Sequence, residues 1–196
     1  MHEGAGLAGT GVILSSGSPQ RKAILEQLGV DFRVEVPDVE EVVEGEPRAV
    51  VLENALRKAR SAAAADLVMG ADTAVVLGDR VLGKPADRGE AAEFLAALNG
   101  STHDVMTGIA VVEDGAERSD VAVTRVRFRA LDRATLDWYL ATEEWRDRAG
   151  GYAIQGRGAA LVESIEGDYW NVVGLPVPAL LRLVPDLLGS GRKRRQ

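Results

Sequence analysis

The sequence contains no cysteine and only two histidines, His2 and His103, among its 196 residues. The absence of cysteine excludes disulfides, thiolate nucleophiles and every cysteine-ligated zinc or iron–sulfur site. Two histidines are too few for a histidine-rich metal centre, and a serine triad would have a single internal histidine to use. The absence of cysteine and the scarcity of histidine point towards carboxylates as the ligands of any metal and as any general base.

Long apolar runs are also absent. None approaches the 18 residues that indicate a membrane-spanning helix, and the N-terminus lacks the basic and apolar regions of a signal peptide. We therefore expect a cytoplasmic protein that binds no membrane. A chain of this length can bury a core without disulfides or a structural metal.

Basic residues are outnumbered by acidic ones, 23 against 30, which gives a net charge of −7. Four of the 23 lie in the tail at 192–195, so the remainder of the chain is more acidic still. Such a body repels long nucleic acid, whose binding depends on phosphate neutralisation. The tail is typical of a disordered solubilising end, with a weak electrostatic anchor as the alternative.

Strand-like and helical segments alternate along the chain, which predicts an α/β fold with a mixed central sheet flanked by helices. We expect strands near 12–14, 32–36, 68–69, 74–77, 81–82, 105–112, 121–128 and 160–165. We expect helices near 18–29, 47–66, 89–98 and 133–142, and after Pro176. Residues 1–11 are predicted to be a flexible leader, 12–189 one domain, and 190–196 a disordered basic tail.

Two glycine patterns imitate nucleotide-binding loops. The segment at 4–9 spells G-x-G-x-x-G, but it precedes the first strand instead of following one. The segment at 78–84 resembles a phosphate loop, but Pro85 stands where a hydroxyl residue is required, and the surroundings predict a hairpin. Neither pattern supports a nucleotide site.

Polar residues gather where the first strand meets the first helix. Hydroxyls, a helix N-terminus and Arg21 converge within 15–22, which favours an anion site, although an ordinary Ser18-Pro19 helix cap explains the same residues. In the second helix, Asn54 and Lys58 share one face, and so do Glu53 and Arg57, which is also the spacing of a solvated ion pair.

Five further features each allow two interpretations. Asp72 lies between two short apolar segments, as either a functional carboxylate or a turn residue. Lys84, before Pro85, is either placed for function or an ordinary surface lysine. His103 suggests a triad, but without a nucleophile elbow a structural role is favoured. The acidic stretch at 38–41 is either solvated or metal-binding, and the loop at 150–156 either contacts a base or simply turns.

Taken in order, eight segments resemble the Maf family of nucleoside triphosphate pyrophosphatases, over about residues 12 to 188. They are SGSPQR at 16–21, DVEE at 38–41, ENA and KA within 53–59, GADT at 70–73, GKP at 83–85, GSTHDVMTG at 100–108, GYAIQG at 151–156 and NVVGLP at 171–176. Each segment is short, but eight in the family's order and spacing are highly specific.

The resemblance implies a two-lobed fold with a cleft, like that of inosine-triphosphate pyrophosphatases. It implies hydrolysis of a nucleoside triphosphate to the monophosphate and diphosphate with a divalent metal, Mg²⁺ or Mn²⁺. By position, Asp72 corresponds to the general base. The substrate-binding positions are Ser16, Ser18, Arg21, Lys58 and Lys84. The metal-binding positions are Glu53, Asp72 and Glu41.

Three positions govern base preference in the family. Thr73 and Gln155 match the dTTP/UTP type, whereas Gln20 matches neither the arginine of that type nor the tryptophan of the 7-methyl-GTP type. Ala153 and Arg148 are further departures from the family pattern. The resemblance therefore implies a dTTP/UTP preference that can broaden to other or modified nucleotides.

Other functions stay open from the sequence. They are a 7-methyl-GTP pyrophosphatase, a phosphohydrolase that releases inorganic phosphate, and a non-catalytic septum or cell-division interaction protein. The expected partner is a nucleoside triphosphate, with a homodimer as the one protein assembly considered.

Overall fold

A computed structural model describes residues 11–62 and 67–189 of the chain. The predicted leader and basic tail, and the glycine pattern at 4–9, lie outside the described residues, apart from Gly11. The strands are β1 (Val12–Ser15), β2 (Phe32–Glu35), β3 (Leu67–Leu77), β4 (Arg80–Leu82), β5 (Thr102–Glu113), β6 (Ala116–Phe128) and β7 (Val162–Glu166). The α-helices are α1 (Pro19–Gln27), α2 (Pro47–Ser61), α3 (Arg88–Leu98), α4 (Arg133–Leu140), α5 (Tyr169–Val173) and α6 (Val177–Leu183).

The strands form one sheet in the order β2-β1-β3-β5-β6-β7, with β4 also paired to β3. β1 runs parallel to both β2 and β3, whereas β3–β4, β3–β5, β5–β6 and β6–β7 are antiparallel pairs. This is the mixed sheet with flanking helices that the sequence predicts. Within residues 11–62 and 67–189, no helix combines the length and apolar character needed to cross a bilayer.

The helix starts follow the sequence signals. Ser18 caps α1 ahead of Pro19, as predicted. Pro47 begins α2, and the side chain of Glu46 caps this helix by accepting hydrogen bonds from backbone N–H groups of its first turn. The segment at 78–84 contains the β3–β4 hairpin, as expected. The short helix α5 is absent from the sequence prediction, because its five residues are too few to show a helical period.

The predicted break around Asp72 is wrong. β3 continues without interruption from Leu67 to Leu77, and residues 68–76 all pair with β5. The polar and glycine residues at 70–73 look like a turn in sequence, but each of them pairs with β5 along one edge of the strand. Asp72 is therefore fixed by a central strand, which holds a side chain more firmly than a turn does.

Two glycines let α2 lie directly on one face of the sheet. A Cβ added at Gly70 would overlap the backbone carbonyl of Ala55, and one at Gly108 would overlap that of Val51. Only glycine permits so close an approach of helix and strand backbones. The consequence is that side chains of α2 reach the β3 residues beside it.

The opposite face of the sheet carries two hydrophobic clusters. One packs β1, the first half of β3 and the second half of β5 against α1 and α6. The other packs Val75 and the ends of β5 and β6 against α3 and α4. On this face of β3, Thr73 lies between Ala71 of the first cluster and Val75 of the second, and Asp72 lies beside it on the α2 face. The two-lobed arrangement with a cleft stays a prediction.

Candidate active site

One edge of β3 is left open in the middle of the strand. β1 pairs with β3 only as far as Gly70, and β4 pairs with the same edge only from Val75 onward. Residues 71–74 have no strand partner on this edge within the described part of the chain, and we call them the β3 notch. Because successive side chains of a strand point to opposite faces, Asp72 faces α2 and Thr73 faces the other side.

On the α2 face, Asp72 is surrounded by residues from two elements. Its Oδ1 lies 2.7 Å from the Lys58 ammonium, and its Oδ2 accepts a hydrogen bond from the Asn54 amide at 3.0 Å. Glu41 contacts the same ammonium at 2.6 Å. Lys58 and Asn54 are buried, while 17 % of the Asp72 side chain and 51 % of the Glu41 side chain remain exposed. We call these four residues the Asp72 cluster.

The acidic segment, residues 38–46, is held beside this cluster by hydrogen bonds to α2. The Asn54 side chain accepts a hydrogen bond from Val42 N at 2.7 Å and donates one to Val42 O at 3.0 Å. Arg57 donates to the carbonyl of Glu40 at 2.9 Å. The segment is therefore partly solvated, as one interpretation held, but its Glu41 belongs to the site.

On the opposite face, Arg21 is held at three points. Its guanidinium donates to Ser16 Oγ at 3.0 Å, to Thr73 Oγ1 at 3.0 Å and to the carbonyl of Gly174 at 2.8 Å. Burial lowers the pKa of Arg21, and the negative charges of Asp72 and Glu41 oppose that decrease. An arginine stays protonated even so, which leaves a fixed positive charge beside the notch.

The hydroxyls at the start of α1 are hydrogen-bonded within their own loop. Ser16 Oγ accepts from Ser18 N at 3.2 Å, and Ser18 Oγ donates to Gln20 Oε1 at 3.1 Å. Ser18 also caps α1 by accepting from Arg21 N, so the helix-cap interpretation is confirmed. The anion site stays a prediction that the cap does not contradict, since Ser16 Oγ lies beside the Arg21 guanidinium.

Lys84 and Gln155 lie on the segment after β4 and on the loop that contacts this segment. β4 runs back along β3 from Leu77 to Val75, and Lys84 lies two residues beyond it, on the course towards the notch. The loop that carries Gln155 contacts the same stretch, because Gly150 N donates to the carbonyl of Gly83 at 3.0 Å. Both side chains are exposed, and no hydrogen bond joins either to Asp72 or Arg21 in the described part of the chain.

Glu53, named as a metal-binding position, pairs with Arg57 at 2.8 Å, which is the ion pair that the i,i+4 spacing suggests. Among the described residues, no three acidic or histidine side chains are grouped as a ready metal site. Asp72 and Glu41 nevertheless converge on one ammonium. Two carboxylates placed in this way suit a hard dication, since Mg²⁺ is commonly held by one or two carboxylates together with substrate phosphates.

His103 lies in the second hydrophobic cluster. Its Nε2 is 2.9 Å from the hydroxyl of Tyr152, and its ring meets Phe128 edge to face at 5.2 Å. Burial lowers the pKa of His103 to about 4, so the ring is neutral at physiological pH. These contacts confirm the structural role of His103. Among the described residues, neither a serine nor a carboxylate is hydrogen-bonded to its ring.

The sequence analysis assigned no role to three contributors to the site. Asn54 shares a helix face with Lys58, and this spacing was the one available signal for it. Thr107 lies beside Thr73 across the β3–β5 ladder, with 3.0 Å between their hydroxyl oxygens, and the strand register cannot be read from the sequence. The carbonyl of Gly174 bonds to Arg21 from 153 residues away.

The family described as Maf-like protein matches residues 11–187 of the chain. A dTTP/UTP pyrophosphatase of Symbiobacterium thermophilum is 47 % identical over 178 residues, which cover 88 % of this chain and 92 % of the relative. The dTTP/UTP pyrophosphatase of Deinococcus radiodurans is 46 % identical, with 92 % and 93 % covered. That of Pyrococcus furiosus is 42 % identical, with 93 % and 97 % covered. The chain belongs to the Maf-like protein family.

Proposed function

We propose that this protein is a nucleoside triphosphate pyrophosphatase that hydrolyses dTTP and UTP to the monophosphate and diphosphate. The observation that carries the proposal is the pairing of Asp72 with the Lys58 ammonium at an open strand edge, close to Arg21. The activity named for relatives of 42 to 47 % identity supports the choice of reaction and of substrate.

Hydrolysis at the α-phosphorus needs an oriented water, a base, and positive charge on the phosphate oxygens. Asp72 supplies the carboxylate that orients the water and takes its proton. A phosphate bound by Lys58 lies beside Asp72, because the two side chains are already in contact. Arg21 and Lys84 add charge from the other sides of the notch, and Ser16 and Ser18 contribute hydroxyls.

Asp72 and Glu41 are the residues that would hold a divalent metal, with Glu53 as a more distant candidate. When bound, Mg²⁺ or Mn²⁺ would neutralise phosphate charge and act as a Lewis acid. Arg21, Lys58 and Lys84 would add positive charge around the same phosphates, in a molecule that is acidic overall.

Base preference is assigned to Gln20, Thr73 and Gln155. The Thr73 hydroxyl is engaged by Arg21 and Thr107, so it is presented in one orientation. Gln20 bonds to Ser18 in the first turn of α1. A substrate of this kind favours a cytoplasmic location, since nucleoside triphosphates are abundant there.

The test is a panel of dTTP, UTP, CTP and 7-methyl-GTP, each with Mg²⁺ and with Mn²⁺, in which the released anion is identified. We expect diphosphate as the product and the highest kcat/KM for dTTP or UTP. Release of inorganic phosphate would reject the reaction, and a clear preference for 7-methyl-GTP would reject the substrate assignment.

A further inference from the structure

Asn54 is the one side chain in the described part of the chain that hydrogen-bonds both to Asp72 and to the backbone of the acidic segment. It is 2 % exposed and lies in the middle of α2, where asparagine is a poor helix former. An apolar residue would suit a buried helical position better. A buried amide at this place therefore calls for a reason other than helix stability.

The geometry fixes which way the amide points. Val42 N lies 2.7 Å from Oδ1, and a backbone N–H can only donate, so this atom must be the amide oxygen. The nitrogen then faces two acceptors, the carbonyl of Val42 at 3.0 Å and Oδ2 of Asp72 at 3.0 Å. Both N–H groups are used, and rotating the amide by half a turn would break all three bonds.

We propose that Asn54 is a positioning residue that fixes the orientation of the Asp72 carboxylate and couples it to the acidic segment. This inference rests on the proposed function, because it assigns Asp72 to the chemical step. Lys58 and Asn54 bond to different oxygens of Asp72, so together they stop the carboxylate from rotating. Val42 in turn stops the Asn54 amide from rotating.

The coupling has a direct consequence for Glu41. Glu41 precedes Val42 and contacts Lys58, so the residue that orients Asp72 also sets the distance between the two carboxylates. Orientation of a catalytic group matters mainly in the transition state, and the buried Asn54 amide has both N–H groups already bonded within the protein. A loss of this orientation should therefore lower kcat more than it raises KM.

The kinetic test compares Asn54→Ala with Arg57→Ala on dTTP. Arg57 contacts the acidic segment at Glu40 and pairs with Glu53 but does not contact Asp72, so its removal loosens the segment and leaves the contacts of Asp72 in place. We expect Asn54→Ala to lower kcat by about 10- to 100-fold, the range typical of residues that orient a functional ligand, with KM within about threefold of wild type. Arg57→Ala should keep kcat within about twofold.

A kcat for folded Asn54→Ala within twofold of wild type would overturn the proposal, as would an equal kcat loss in Arg57→Ala. A second measurement needs neither activity nor an Asn54 variant. The sequence has three asparagines, so the side-chain amide signals of Asn54 are readily assigned by NMR. We expect them to shift in Asp72→Ala and to stay in place in Lys22→Met, and unchanged signals in Asp72→Ala would overturn the contact.

The two measurements also separate failure of this inference from failure of the proposed function. A wild-type protein that releases no diphosphate from any triphosphate refutes the function, while the amide signals still report whether Asn54 holds Asp72. An active wild type with a fully active Asn54→Ala variant refutes the inference alone.

Discussion

The protein holds two hydrogen-bonded polar groups beside its hydrophobic core, the Asp72 cluster and the His103–Tyr152 pair, and their surroundings differ. The Asp72 cluster brings two carboxylates and an ammonium together at an open strand edge, and part of its charge remains in contact with solvent. The His103–Tyr152 pair is enclosed by aromatic residues, and burial keeps it neutral. Both groups are hydrogen-bonded, so hydrogen bonding alone does not distinguish a functional site from a structural one.

What separates them is whether the charge is needed by the fold. Burying charges costs several kcal/mol per ion, and well-packed apolar residues often stabilise a protein as much as a buried ion pair. The His103 pair avoids this cost by staying uncharged. The Asp72 cluster retains its charges next to a strand edge that could accept a ligand, which favours function as the reason for them.

The largest effect is expected from removing the shared cation of the Asp72 cluster. Lys58→Met leaves Asp72 and Glu41 close together without the ammonium between them, so both substrate phosphate binding and the chemical step should suffer. We expect kcat/KM on dTTP to fall by about 10²- to 10³-fold. Lys22→Met is the matched control, because Lys22 forms an exposed ion pair on α1 and should leave activity unchanged. Retention of more than half the activity by Lys58→Met would remove the basis of the comparison.

The His103–Tyr152 pair should affect how the stability of the protein depends on pH, and should leave its activity unchanged. Because the pKa of His103 is about 4 in the folded protein and 6.5 for an unperturbed histidine, the unfolded state binds more protons between these values. Stability from this residue is therefore complete above pH 6.5 and is lost as the pH falls towards 4, by about 3 kcal/mol in all.

Urea unfolding midpoints at pH 7, 5.5 and 4.5 measure this effect. The control is His103→Gln, which can keep a hydrogen bond to Tyr152 but cannot be protonated in this range. We expect the variant to lose less stability than wild type over the same interval and to keep its diphosphate release at pH 7. An identical pH dependence in the two proteins would show that His103 is charged or accessible in the fold.

A smaller effect tests how the Asp72 cluster is assembled. Gly108→Ala places a methyl group on β5 against the carbonyl of Val51 and pushes α2 away from the sheet. We expect a loss of about 1–3 kcal/mol in unfolding free energy, as for other overpacked sites, and lower activity because Lys58 moves with the helix. Gly83→Ala serves as the control, since a methyl group there meets open space and should change stability by less than about 0.5 kcal/mol. Equal stability of the two variants would contradict the close packing of α2.

Local signals in the sequence account for much of the fold. The Ser18 cap, the start of α2 at Pro47 and the hairpin within 78–84 are each set by residues within a few positions, and the structure places each where it was expected. The exception is β3, where glycine and polar residues at 70–73 suggested a break. Their strand conformation depends on partners about 40 residues away in β5, which local patterns do not contain.

The sequence indicated which residues form the site better than it indicated how they contact one another. Resemblance to the family pointed to Asp72, Lys58 and Arg21, and the structure brings them to one strand segment. The bond between Asn54 and Asp72 depends on how α2 lies across the sheet, and the Glu41–Lys58 contact depends on the irregular acidic segment. Neither follows from a helical or strand period, so neither could be derived from the sequence.

The most direct test of the central claim is diphosphate release from dTTP by wild type and by Asp72→Asn, measured under the same conditions. Asn is close in size to Asp and can keep a hydrogen-bonded position beside Asn54 and Lys58, but it cannot take a proton from water. The account predicts rapid release by wild type, no detectable release by Asp72→Asn, and the same circular dichroism spectrum for both. A folded Asp72→Asn protein with wild-type turnover would contradict it.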